Sequence, residues 1–156
     1  DIKLLEAVKK TGKPIILSVG MSTEQEIIDA IKVIGEKNLT ILICTSTYPN
    51  EFEEIRLNRI DKLKEITQAN IGYSGHEIGY IPTLAAVAKG CKVVERHITK
   101  SKELWGSDQK ASLEPDELKE MIKSIKIVEK TLGEPDLVVL DSEIPSLKKL
   151  RKTQNT

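Results

Sequence analysis

Cysteine is almost absent from this chain, and so is any excess of one charge. Only Cys44 and Cys91 occur among 156 residues, without the CxxC spacing of a zinc or redox motif. Each lies at one end of an apolar run, which reads as a buried thiol in a reducing compartment, with the cytoplasm expected. Lys plus Arg and Asp plus Glu both number 24, so no basic field exists to draw the chain onto nucleic acid or a membrane surface. No apolar stretch approaches the ~20 residues needed to cross a bilayer, and the charged start Asp1-Ile2-Lys3 does not resemble a signal peptide. Aromatic residues make up only 3%. With abundant Ile, Lys and Glu, this composition fits a helix-rich α/β protein with a charged outer surface.

The length suits one ordinary domain. Four short apolar runs, Pro14 to Val19, Thr40 to Cys44, Asn70 to Tyr73 and Cys91 to Glu95, read as strands buried on both faces. Helical patterns alternate with them. Ile2 to Lys10 stops at Thr11-Gly12, and Thr23 with Glu26 forms a capping box for a helix from Glu24 to Lys37. Arg56 to Thr67 repeats the pattern, Pro82 opens a fourth helix that Gly90 ends, and Pro115 to Leu132 stops at Gly133. Residues 134–156, with the basic run Lys148-Lys149-Leu150-Arg151-Lys152, read as a linker or tail behind a domain spanning 1–133. Alternating strands and helices predict parallel βα units. Periodicity alone allows either an open doubly wound sheet or half of a closed barrel.

Each apolar run turns abruptly into hydroxyls, glycine or histidine, and in parallel α/β folds the carboxyl ends of the strands form the ligand-binding face. The two histidines, His76 and His97, close the third and fourth runs. Strand alternation puts Ser74 with His76 on one side and Glu95 with His97 on one side, so both imidazoles are expected to face one mouth and share a divalent cation. The competing reading is two hydrogen-bonded strand-end histidines without a ligand. Ser18, Ser46 and Ser74 are expected at similar depths, where hydroxyls and the amides freed by Gly20 and Gly75 suit a phosphate or carboxylate. Serine there also serves simply to cap a turn. Asp108, in Gly106-Ser107-Asp108-Gln109, is a candidate base or hydroxyl ligand, with an Asx turn as the plainer role. Trp105 either covers the pocket or anchors its loop on the core.

These segments together resemble one family. Thr11-Gly12-Lys13-Pro14-Ile15-Ile16-Leu17-Ser18-Val19-Gly20-Met21 is similar to the fifth barrel strand of the sialic acid synthases. In family order follow Cys44-Thr45-Ser46-Thr47-Tyr48-Pro49, Gly72-Tyr73-Ser74-Gly75-His76-Glu77, Val94-Glu95-Arg96-His97-Ile98-Thr99 and Gly106-Ser107-Asp108-Gln109, then Ala111-Ser112-Leu113-Glu114-Pro115. The resemblance implies an α/β fold, the second half of a (β/α)8 TIM barrel, holding strands five to eight with their helices. It implies Mn2+ or Mg2+ on His76 and His97, phosphoenolpyruvate held by Ser18 and Ser74, and an amino sugar facing Tyr48 and Asp108. Two positions depart from the commoner pattern. Ser46 stands where some members carry asparagine, and Gly75 where many carry aspartate.

The implied reaction joins the methylene carbon of phosphoenolpyruvate to the aldehyde of an N-acylated amino sugar, N-acetylmannosamine, its 6-phosphate or a related sugar. A divalent cation polarises the aldehyde, water adds to the cationic carbon, and phosphate leaves by carbon–oxygen cleavage. The product is a sialic-acid-like nonulosonate, and the full-length family member is expected to be a homodimer. Counterparts of the family's first four strands are expected before Asp1 and an antifreeze-like domain after the basic run, so this chain alone is expected to have little synthase activity. Two other readings are another metal-dependent aldol-type barrel enzyme and a non-catalytic truncated barrel module.

Overall fold

The computed structural model describes residues 1–151, and residues 152–156, including Lys152 of the basic run, lie outside the described residues. Helix α1 (Ile2–Lys10) starts on the Asp1 carboxylate, which accepts from Leu4 N at 3.2 Å. It feeds strand β1 (Ile15–Ser18). Helix α2 (Glu24–Ile34) carries the expected capping box, with Glu26 Oε2 accepting from Thr23 N at 2.7 Å and Thr23 Oγ1 accepting from Glu26 N at 3.3 Å. It ends three residues earlier than the apolar pattern suggests because Gly35 adopts φ +84°.

Strand β2 (Leu39–Ile43) leads to a short helix, α3 (Phe52–Ile55), and then to α4 (Arg59–Ile66). The sequence pattern starts α4 at Arg56, ahead of its observed start at Arg59, and does not foresee α3. The break falls at Arg56, whose φ of +50° cannot continue a right-handed helix. Strand β3 (Asn70–Gly75), helix α5 (Ile81–Ala88), strand β4 (Val93–Arg96) and helix α6 (Pro115–Leu132) complete the alternation. In the expected tail the chain forms one more short helix, α7 (Ile144–Leu150), with no buried residue. Among the described residues, no helix is long and apolar enough to cross a membrane.

All strand pairs are parallel and the order is β1-β2-β3-β4, with neighbours in space consecutive in sequence. A doubly wound sheet reverses its strand order and carries helices on both faces. Here the core forms on one face only, where Leu39, Ile41, Ile43, Ile71 and Tyr73 meet Ile31, Ile34, Ile60, Leu63 and Ala86. The other face carries Ile16, 59% exposed, and the exposed Ser18, Asn70 and Glu95. Sequential order with helices on one side is the arrangement of half a (β/α)8 barrel, so the fold expected from the resemblance is the one observed.

Each fully buried aliphatic side chain in this layer contributes about 1.5–3 kcal/mol through removal from water. Ile60, with no exposed surface, occupies the layer between α4 and the sheet. Ile60→Ala is expected to lower unfolding stability by about 2–5 kcal/mol in urea titrations. The same truncation at the exposed Ile127 is expected to leave the midpoint nearly unchanged.

Candidate functional site

Strand register sets the levels of the concave face. Ser18 pairs with Leu42, Leu42 with Gly72 and Gly72 with Val93, so these side chains share a row. Ser74 pairs with Glu95 one rung further toward the carboxyl ends, and His76 and His97 follow on the same side. The expectation that Ser18, Ser46 and Ser74 share one depth is therefore corrected. Ser18 lies a rung below Ser74, and Ser46 lies beyond the end of β2, over Gly20. A Cβ on Gly20 would collide with Ser46 Oγ and lie 3.0 Å from Cys44 Sγ. Only glycine lets the two strand ends approach so closely.

The two imidazoles do face one another. Their ring centroids are 5.3 Å apart with planes at 75°, and Tyr48 lies over both, 4.2 Å from His76 and 5.6 Å from His97. His76 is buried, at 4% exposure, and its Nδ1 is 2.7 Å from the Thr45 carbonyl oxygen. A carbonyl only accepts, so Nδ1 carries the ring proton and Nε2 keeps a lone pair. Beside Nε2, at 3.3 Å, is Ser74 Oγ, which donates its proton to Glu95 Oε1 at 2.7 Å. The charged carboxylate takes that proton in preference, and the Nε2 lone pair is left without a protein donor. Such a nitrogen is ready to bind a cation or accept from a ligand.

Asp108 approaches from the loop after β4, its Oδ2 3.7 Å from His97 Nδ1, beyond hydrogen-bond length. Ser107 donates to its Oδ1 at 2.7 Å and Ser112 to its carbonyl oxygen at 2.8 Å. Desolvation, followed by the charges of Cys44, Asp108 and Glu95, holds the Tyr48 phenol above its ordinary range, so it remains a hydroxyl donor at neutral pH. Tyr48, Ser74, His76, His97 and Asp108 thus come together, joined by Glu95. Ser46 packs at the rim, while Ser18 lies exposed and lower on the face. Trp105, 99% exposed, does not anchor its loop on the core. Among the described residues, no group of three or more His, Cys, Asp and Glu side chains converges on a common point. The chain therefore offers two imidazoles with no third side-chain ligand, and this donor set suits a cation that keeps positions open for substrate or water.

Behind the imidazoles, on the helix side, sequence reading overlooked a buried polar cluster. Arg96 pairs with Glu77 at 2.9 Å, the side chains 2% and 0% exposed. Arg96 also donates to the Glu77, Gly79 and Ala111 carbonyls at 2.8, 2.8 and 3.3 Å, and to Thr83 Oγ1 at 3.0 Å. Glu77 accepts from Tyr73 at 2.8 Å and from Thr83 at 3.0 Å. The signal was present as an acid directly after one histidine and an arginine directly before the other. Gly75 belongs to this cluster, because a Cβ there would stand 2.6 Å from Glu77 Oε2 and 2.9 Å from the Tyr73 ring. Its role is to leave room, on the face opposite the one expected for an anion.

A model of the NeuB family matches residues 1–136. The N-acetylneuraminate-9-phosphate synthase of Homo sapiens is 41% identical over 153 residues, covering 96% of this chain and 42% of that protein. The N,N'-diacetyllegionaminic acid synthase of Campylobacter jejuni is 39% identical over 158 residues, covering 98% and 47%. Among solved structures, N-acetylneuraminic acid synthetase from Leptospira borgpetersenii, in complex with citrate, superposes with a TM-score of 0.85 at 34% identity, over 97% of this chain and 55% of that one. The chain spans about half the length of the relatives it matches.

In the metal-free chain, nitrogen NMR of the neutral ring is expected to show His76 protonated at Nδ1 and bare at Nε2. The opposite tautomer would remove the lone pair from the concave face. Burial raises the Cys91 thiol to about 11 and also raises Cys44. Because the thiolate is the nucleophile, both are expected to resist alkylation at pH 8 in the folded chain and to react on denaturation.

Proposed function

The chain belongs to the NeuB family, and on that premise we propose that it forms the His-bearing half of the site that condenses phosphoenolpyruvate with an N-acylated amino sugar. The product is a sialic-acid-like nonulosonate and phosphate. The observation that carries this reading is the meeting of His76 and His97, each at a strand carboxyl end, beside Ser74, Glu95, Tyr48 and Asp108. The relatives' names support a sugar acid as product, and the choice among N-acetylmannosamine, its 6-phosphate and a related sugar stays within that class.

His76 Nε2 and a ring nitrogen of His97 are the proposed ligands of Mn2+ or Mg2+. When bound, such an ion supplies Lewis acidity for the sugar aldehyde. Ser18 orients the phosphorylated substrate by a hydrogen bond, and Ser74 joins it by turning its hydroxyl proton from the Glu95 carboxylate to a phosphate oxygen. Tyr48, still protonated, donates to a sugar oxygen from above the imidazoles. Asp108, steadied by Ser107 and Ser112, takes the proton of a sugar hydroxyl or of the water that adds to the cationic carbon. Because the chain spans about half the length of its relatives, the 156-residue chain by itself is expected to have little synthase activity.

Mn2+ titration of the purified chain is expected to show one site, weakened at least about tenfold by either His76→Ala or His97→Ala. Binding indifferent to both substitutions would sink the metal assignment. Phosphate release from phosphoenolpyruvate with N-acetylmannosamine is expected to be negligible for this chain alone. Measurable condensation would show that its own residues suffice.

A further inference from the structure

We propose that the buried Arg96–Glu77 pair is a positioning device that sets the spacing of the two imidazoles. This deepens the proposed metal-site reading, and only its binding arm rests on that reading. The parallel ladder between β3 and β4 ends at Gly75 and Arg96. His76 and His97 therefore stand one residue past the last paired rung, where ladder hydrogen bonds no longer hold the two backbones together. At that point the guanidinium takes over. Its side chain lies on the face opposite His97, as that of Glu77 lies opposite His76, so the clamp closes behind the rings without occupying the site.

The contacts are specific to a planar fork. One terminal nitrogen reaches the Glu77 carboxylate, the Gly79 carbonyl and Thr83 in the first turns of α5. The other reaches the Glu77 carbonyl and the Ala111 carbonyl of the segment that follows Asp108. One rigid group thereby joins the three segments that bear His76, His97 and Asp108. An ammonium of similar charge has neither the span nor the geometry to make these contacts together. Two backbone bonds report on the result, because Asn50 N donates to the His76 carbonyl at 3.2 Å and Leu113 N to the His97 carbonyl at 2.8 Å. Arg96 and Glu77 lie behind the sheet and are positioning residues, acting through the histidines.

The test uses Arg96→Lys, which keeps the charge and loses the fork, and the double variant Glu77→Leu with Arg96→Met, an apolar replacement of the kind folded proteins tolerate. In the metal-free chain, hydrogen exchange at the Asn50 and Leu113 amides is expected to quicken roughly tenfold, with the Leu42 amide in mid-sheet unchanged. The contact between the His76 and His97 rings, read as a nuclear Overhauser effect, is expected to weaken. Mn2+ affinity is expected to fall roughly 10–100-fold. A folded variant of either kind that keeps both amides protected and both rings in contact would overturn the proposal, and should one variant fail to fold, the other decides. If the unaltered chain binds no Mn2+, the metal reading fails, while the exchange and ring-contact measurements still decide the clamp.

Discussion

Side chains along a strand point alternately to opposite faces, and at the ends of β3 and β4 this alternation separates two demands that conflict. Ligand-binding imidazoles must face an open, wettable surface, while the backbone that carries them must be held rigidly. His76 and His97 take the concave face, and their sequence neighbours Glu77 and Arg96 take the helix face, their side chains only 0% and 2% exposed. Removing two charges from water costs several kcal/mol per ion. Here the cost is offset by hydrogen bonds to Tyr73, Thr83 and three backbone carbonyls. Removing one partner would strand the other, a change that costs about 3–5 kcal/mol in such pairs.

The same alternation decides what could be read from the sequence. The four strands, the capping box at Thr23 and the helix Pro115–Leu132 were legible because periodicity, caps and terminating glycines agree. The kink at Arg56 was not, since nothing in the apolar spacing of Leu57, Ile60 and Leu63 reveals a left-handed backbone angle before them. Nor was the stagger of the serines. Position at a strand end is visible in sequence, but depth depends on inter-strand register, which pairs Ser74 with Glu95 and leaves Ser18 a rung lower. The imidazole pairing followed from counting residues past each strand, and the same count, taken one residue over, places Glu77 and Arg96 together on the opposite face, where charged side chains were not expected to be buried.

The partly covered concave face and the two outer strands give the half-barrel its character. β1 and β4 each pair on one side only, and Ile16 on the concave face remains mostly exposed. In a closed eight-strand barrel, side chains from the opposite strands fill this space and no strand has a free edge. Leu42 and Gly72 already form the floor beneath Ser74, and a Cβ on Gly72 would stand 2.6 Å from the Val93 carbonyl oxygen. The floor beneath Ser74 is therefore fixed by backbone packing.

Gly75 couples two positions that sequence comparison would treat as separate. Its missing side chain is the space in which the Glu77 carboxylate lies. A carboxylate carried at 75 would be driven into that same space, and two like charges held there would repel each other as well as collide. The room available at 75 is thereby set by the side chain at 77.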